Sequence, residues 1–509
     1  MRFDDWALSL AVFLPAAGAL AILLVPKKRE QTAKALALLF SGLAAVVGVG
    51  ILLRFDYQAS QTLQFAVDNR WITTIGARYH LGVDGIGLPL LALSLLMSFL
   101  SVVYSMRILP EPRNAKAFLA LVLLLETGMN GTFVALDLIL FFIFWELVLV
   151  PMYFIIGVWG GPRREYAAIK FFLYTLFGSV FMLLGFLALY FKSIDPATGA
   201  HTFDIVTLTH QSFAPGFEKL VFLGIFLGFA IKVPMFPFHT WLPDAHTEAP
   251  TVGSVLLAAV LLKMGTYGFV RIALPVLPQA ARSYAPAIAV LATIAIVYGA
   301  LNCLAQKDMK RLIAFSSVGH MGFVMLGIAT LTTIGINAAI FGMVAHGLIT
   351  GMLFFTAGSI HDRYHTRLIE DIGGGMLAKL PHLGGTLTFV AIASLGLPGL
   401  AGFWGELYAL LAAYRPAPGL SLPLYRTLMV FGAIGTVLTA GYFLWMLQRV
   451  NLGKIPERWR ASKFEDVTAV EWAAWAPVLV LIVALGVWPA AVLGITNDAV
   501  AALARVFGG

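Results

Sequence analysis

The sequence predicts an all-α polytopic membrane protein of about fourteen transmembrane helices, with two inverted five-helix repeats and one broken helix in each. Hydrophobic residues make up 60% of the 509 and charged residues only 12%, more apolar surface than a water-soluble fold of this size could hide. The apolar residues gather into runs of about twenty, the length that crosses a bilayer as one helix. Two of those runs are interrupted by proline, one at Pro234 and Pro237 and the other at Pro398, and the interruptions lie five runs apart.

The runs cover about 7–25, 34–53, 85–106, 116–135, 137–159, 168–191, 219–238, 251–272, 285–305, 310–330, 335–357, 384–412, 428–449 and 475–497. The first is too long for the apolar core of a signal peptide, and basic residues follow it instead of preceding it, so it reads as a retained span. Only the residues around Asp137 separate the fourth run from the fifth. Of 34 lysines and arginines, 21 fall in loops after odd-numbered spans, 11 in the termini and the other loops, and two inside spans. The richer side is expected to be cytoplasmic, which puts both termini outside. The net charge of +8 is then a matter of topology and points to no nucleic-acid partner.

The expected organisation is three N-terminal spans (1–115), a first repeat of spans 4–8 (116–273), a second of spans 9–13 (284–450), and a loop with a last span (451–509). Five helices per unit make the second repeat enter the membrane upside down, a recurring transporter plan with broken helices near the midplane. Segments 54–83 and 192–218 are expected to face outward and offer little to interpret. The single cysteine, Cys303, leaves no disulfide framework, iron–sulfur cluster or cysteine zinc site. No GxxxxGK[ST], no GxGxxG between strand and helix, and no HExxH occurs, so no cofactor or metal is expected in this chain.

Seven ionisable residues fall inside the runs: Glu126, Glu146, Lys232, Lys263, His320, His346 and Glu406. An ion at the bilayer centre costs about 2.5–3.5 kcal/mol on insertion scales, so such groups tend to mark ion pathways. Singly, each has a plainer reading as a hydrogen-bonded packing residue or a structural ion pair. Together, acids, amines and imidazoles on consecutive spans suit protons, because burial and neighbouring charges bring their ionisation into range of one another. A larger cation would meet repulsion from two lysines. His239, Asp244, His246 and Glu248 are read as a polar cap on the turn that closes the broken seventh helix, ahead of a metal site.

Four stretches carry a family resemblance: DLILFFIFWELVLVPMYFIIGVWGG (137–161), AIKVPMFPFHTWLPDAHTEAPTVGSVLLAAVLLKMGTYGFVR (230–271), QKDMKRLIAFSSVGHMGFV (306–324) and GLPGLAGFWGE (396–406). They resemble the antiporter-like subunits of respiratory complex I, over about residues 80–450. The resemblance implies a proton path in which Glu146 pairs with Lys232, Lys263, His320 and His346 continue it, and Glu406 ends it, with Glu126 a less constant member. Glu406 narrows the resemblance to the M-type branch, the counterpart of mitochondrial chain 4, since L-type and N-type relatives usually carry lysine there. It further implies a bacterial plasma-membrane location, lipid contact and L-like and N-like neighbours. FMN, iron–sulfur clusters, NADH and quinone would belong to other subunits. A subunit of a multi-subunit cation/proton antiporter, a membrane-bound hydrogenase subunit and a passive scaffold remain the alternatives.

Overall fold

A computed structural model describes residues 3–196 and 198–508. Helices occupy all fourteen expected positions. The first six are α1 (Ala7–Leu24), α2 (Glu30–Arg54), α3 (Gly87–Ser105), α4 (Ala115–Val134), α5 (Leu138–Trp159) and α6 (Arg164–Lys192). The seventh, α7, is in two pieces, Pro215–Lys232 and Trp241–Glu248. Then come α8 (Thr251–Val276), α9 (Pro278–Leu304), α10 (Met309–Ala329) and α11 (Thr333–Tyr364). The twelfth, α12, is again in two pieces, Pro381–Ser394 and Gly402–Tyr414, followed by α13 (Leu422–Val450) and α14 (Ala469–Val487). Both breaks therefore fall where the prolines placed them. The polar residues after Pro237 form no simple turn, however: Asp244, His246 and Glu248 sit on the buried second piece of α7.

Burial sorts the helices. In α8 and α11, 94% of the best apolar window is buried inside the protein, against 28% in α2, 33% in α13 and 39% in α6 and α14. Charges carried on α8 and α11 thus face protein, while the outer helices offer their apolar surface to lipid or neighbouring chains. The fourteenth helix ends earlier than the apolar run suggests, because Trp488 and Pro489 interrupt it and a further helix, α15 (Ala490–Ala504), follows. The Ile495 carbonyl of α15 lies against Gly85, Asn497 accepts from Asn337 at 3.3 Å, and Arg282 donates to the Phe507 carbonyl just beyond it at 2.6 Å. Gly85, Asn337 and Arg282 stand at or beside the N-terminal ends of α3, α11 and α9, so α15 runs across one face of the bundle.

Segment 54–83, expected to face outward and to offer little to interpret, contains an antiparallel hairpin, β1 (Gln64–Ile72) and β2 (Ala77–Val83), which departs from the all-α expectation. Its turn closes on Gly76, whose φ of +66° suits glycine. Arg78 grips Asp68 across the strands through Nε and Nη2, both at 2.6 Å. The hairpin is tied to the α4–α5 corner by Asp137. One carboxylate oxygen of Asp137 caps α5 at the amides of Ile139 and Leu140, and the other accepts from the Arg78 amide at 3.0 Å. That cap is what splits the fourth run from the fifth.

His80 on β2 reaches Asp204 at 2.6 Å. Burial pushes the Asp204 carboxyl up, but the hydrogen bonds from His80 and Thr207 outweigh it and hold the group below its usual value of 3.8. A carboxyl depressed in the folded state stabilises at pH above its unfolded value, and that contribution fades as pH falls through the folded one. Asp204→Asn is therefore expected to loosen the hairpin by about 1–3 kcal/mol at neutral pH. Amide exchange across residues 64–83 measures it. Unchanged protection would remove Asp204 from the clamp.

Candidate functional site

Four of the expected residues meet at the centre. Lys263 is fully buried on α8, just after a π-helical turn spanning Leu257–Leu261. This wider turn presents the Ala258 carbonyl to the Lys263 ammonium, which donates to it and also to His346 Nδ1 on α11 at 2.6 Å. With Nδ1 accepting, the proton of a neutral His346 ring sits on Nε2, which has no hydrogen-bond partner. The His320 ring on α10 stands 5.6 Å away, centroid to centroid, at an edge-on 61°. His320 Nδ1 donates to Glu406 Oε1 at 2.7 Å, and its Nε2 accepts from the Ser394 hydroxyl at 3.0 Å.

The two α12 residues lie on opposite sides of its break, Ser394 ending the first piece and Glu406 in the second. Glu406 Oε2, like His346 Nε2, lacks a partner. Both residues, with His320, Ser394 and Thr350, line a cavity of about 30 Å³. A cavity needs roughly 10–15 Å³ of such space to hold a water, and these polar atoms supply the partners that a water needs. The order is thus Lys263, His346, a space for water, His320, Glu406.

Glu146 and Lys232 form a second group. Pro151 has no amide proton to give the Leu147 carbonyl, and α5 bends at Val148, next to Glu146. Lys232 ends the first piece of α7 and is buried. Among the described residues no contact within ion-pair distance joins the two. Instead the Lys232 ammonium lies 4.8 Å over the Trp145 indole, whose Nε1 donates to Ser179 at 2.9 Å. The expected direct pair is therefore a charge interaction past an aromatic ring. Gly265 brings α8 against the end of α7, since a Cβ there would stand 2.8 Å from the Phe229 carbonyl.

Glu126 lies elsewhere. Gly128 of α4 packs on Phe144 and Val148 of α5, and two residues along a helix turn the side chain by about 200°. Glu126 accordingly faces Ser41 of α2 and not the bend of α5.

Two further buried groups lie outside the expected proton path, His246, read from sequence as part of a polar cap, and Lys310. His246 is fully buried, stacked on Phe354 at 4.5 Å, with neither ring nitrogen hydrogen-bonded and within the field of Lys310 and Lys263. Lys310 had counted as a loop cation; Asp308 caps α10 just before it and draws it into the first turn, where it donates to the Ala249 carbonyl at 2.8 Å. Around them, Asp244 binds Lys170 at 2.7 Å and Glu248 binds Arg367 at 3.3 Å. These acids are engaged in ion pairs. Lys310, Glu248 and Arg367 also line a cavity of about 370 Å³ on the face richer in basic loops.

Residues 135–439 match the family described as NADH:quinone oxidoreductase/Mrp antiporter, TM. NADH-quinone oxidoreductase subunit M of Rhodobacter capsulatus is 41% identical over 515 residues, covering 98% of this chain and 96% of that one. The subunit M of Rickettsia prowazekii is 40% identical over 494 residues, with 96% of each chain covered. Among solved structures, a chain of respiratory complex I from Thermus thermophilus with bound NADH superposes with a TM-score of 0.87 at 29% identity, over 99% of this chain and all of that one. A chain of an archaeal membrane-bound sulfane sulfur reductase shares the fold, with a TM-score of 0.82 at 22% identity over 98% and 99% of the two chains.

Proposed function

The chain belongs to the family of NADH-quinone oxidoreductase subunit M, and on that premise we propose that it is a proton-translocating subunit in the membrane arm of an NADH:quinone oxidoreductase. The observation that carries the reading is the row of two hydrogen-bonded pairs, Lys263–His346 and His320–Glu406, with a cavity lined by both histidines, built on α8, α10, α11 and the broken α12. Amine, imidazole and carboxyl groups in that order can pass a proton by small shifts in ionisation, and the cavity between the histidines supplies the missing link. Electron transfer in other subunits, which hold NADH, FMN, iron–sulfur clusters and quinone, provides the energy.

Glu146 and Lys232 act at the other end. A change in the charge of Glu146 alters the field at Lys232, which ends the helix piece against which Gly265, two residues from Lys263, packs. Moving one charge against 100 mV costs about 2.3 kcal/mol. A shift of one pKa unit is worth about 1.36 kcal/mol, so a coupling of about 1–3 units is of the right size. The breaks five spans apart support two inverted units, spans 4–8 and 9–13. The excess of basic loops supports both termini lying outside, and the likeness to subunit M supports a bacterial plasma-membrane protein with L-like and N-like subunits as neighbours.

Lys232→Ala or Glu146→Ala is expected to reduce proton pumping strongly, by about tenfold or more, while assembly stays near normal. Proton uptake into vesicles, set against quinone reduction and the amount of assembled complex, is the measurement. Pumping at the native rate in either variant would sink the coupling role. A cation/proton antiporter subunit is the second reading, as the shared family description allows; Glu406 in place of lysine and full-length likeness to subunit M argue against it.

A further inference from the structure

Apart from the Lys263–Glu406 row, α2, α3 and α4 enclose a second set of buried polar groups. Glu126 on α4 is fully buried and neither of its carboxyl oxygens has a hydrogen-bond partner. The hydroxyls of Ser41 on α2 and of Ser98 and Ser101 on α3 are likewise buried and unpartnered. Helix register brings them to one level. Ser94 of α3 donates to Asn130 of α4 at 2.6 Å, and the two helices run antiparallel. One turn forward on α3 is then one turn back on α4, which sets Ser98 opposite Glu126. On α2, Gly48 meets Leu95 and Gly42 meets Phe99, an antiparallel register that places Ser41 beside Ser98 and Ser101.

Buried polar atoms in native proteins are nearly always paired, with protein or with water. Gathered on one level with only the Glu126–Ser41 contact among them, three hydroxyls and a carboxyl offer the polar partners that a buried water needs. An ionised carboxylate at that level would have no counter-ion, and such a charge is far costlier than the neutral acid, so Glu126 carries its proton there. A way out is present. Ser101 lies one turn from Tyr104, whose hydroxyl is 3.2 Å from Ser359 and which lines the 370 Å³ cavity on the basic face.

We propose that Glu126 is a proton-binding site in its own right, hydrated through Ser41, Ser98 and Ser101 and exchanging with the basic-face cavity by way of Tyr104. It is separate from the Lys263–Glu406 chain and stands whether or not that chain conducts. Infrared difference spectra of the assembled complex in native membranes, taken in H2O and D2O, test it. The expected result is a protonated-carboxyl band that shifts on transfer to D2O and is lost in Glu126→Gln. In the Ser98→Ala/Ser101→Ala variant the band should remain but shift about tenfold more slowly, equivalent to about 1.4 kcal/mol of barrier. Should Glu126→Gln fail to assemble, the serine variant tests the proposal on the native carboxyl. A spectrum in which Glu126→Gln removes no such band overturns the site. A band that never shifts, or one that shifts as fast without the serine hydroxyls, overturns the route.

Discussion

Lys263→Ala is expected to abolish coupled proton movement, with a fall of about 10²-fold or more in pumping, because it removes a proton carrier that no neighbour replaces. The change would also leave His346 Nδ1 and the Ala258 carbonyl without their donor. Lys263→Arg separates charge from proton release. A guanidinium keeps the charge and can reach the same acceptors, yet it does not give up its proton in the accessible range. Both variants should therefore fail in proteoliposome assays with a pH-sensitive dye. Normal pumping by Lys263→Arg would show that only a fixed charge is needed, and the relay through Lys263 would be wrong.

Glu406→Gln should be nearly as damaging, again by about 10²-fold, while the complex assembles. The amide oxygen of glutamine can still accept from His320 Nδ1, so the 2.7 Å contact and its packing survive. What disappears is the capacity of that group to take a proton. Glu406→Asp keeps the chemistry but draws the carboxyl back by one methylene, and an intermediate rate is expected. Equal rates for the native and Gln forms would confine Glu406 to holding His320 in place.

Much of this arrangement could be read before any coordinates. Lysines inside apolar runs and prolines within helices are conspicuous, and Lys232, Lys263 and both breaks stand where they were expected. Three things were hidden, each for a physical reason. The hairpin is held by Asp137 and Asp204, distant in sequence, and its own strands mix polar with apolar residues. The last apolar run continues past the turn at Trp488–Pro489, so α15 passed for part of the span before it. His246 stood in a polar stretch that reads as a cap, and only the fold shows it sealed in without a partner. Contacts were less legible than positions. No ion pair joins Glu146 to Lys232 among the described residues; the indole of Trp145, adjacent to Glu146 in sequence, is what meets the ammonium.

The π-helical turn before Lys263 has a twin at Phe269–Ala273. Each such turn holds one residue more than an α-helical turn, which resets the phase of everything after it by about 100°. Along one axis, α8 thereby addresses different partners: Lys263 turns to α11, Tyr267 donates to the Phe133 carbonyl on α4 at 2.8 Å, and Arg271 reaches Asp84 through Nη1 at 2.8 Å. A regular helix would drift steadily past these targets with no means of correcting its aim. The helix that carries Lys263 is in this sense geared, and the two extra residues are the teeth that keep its inner and outer contacts in step.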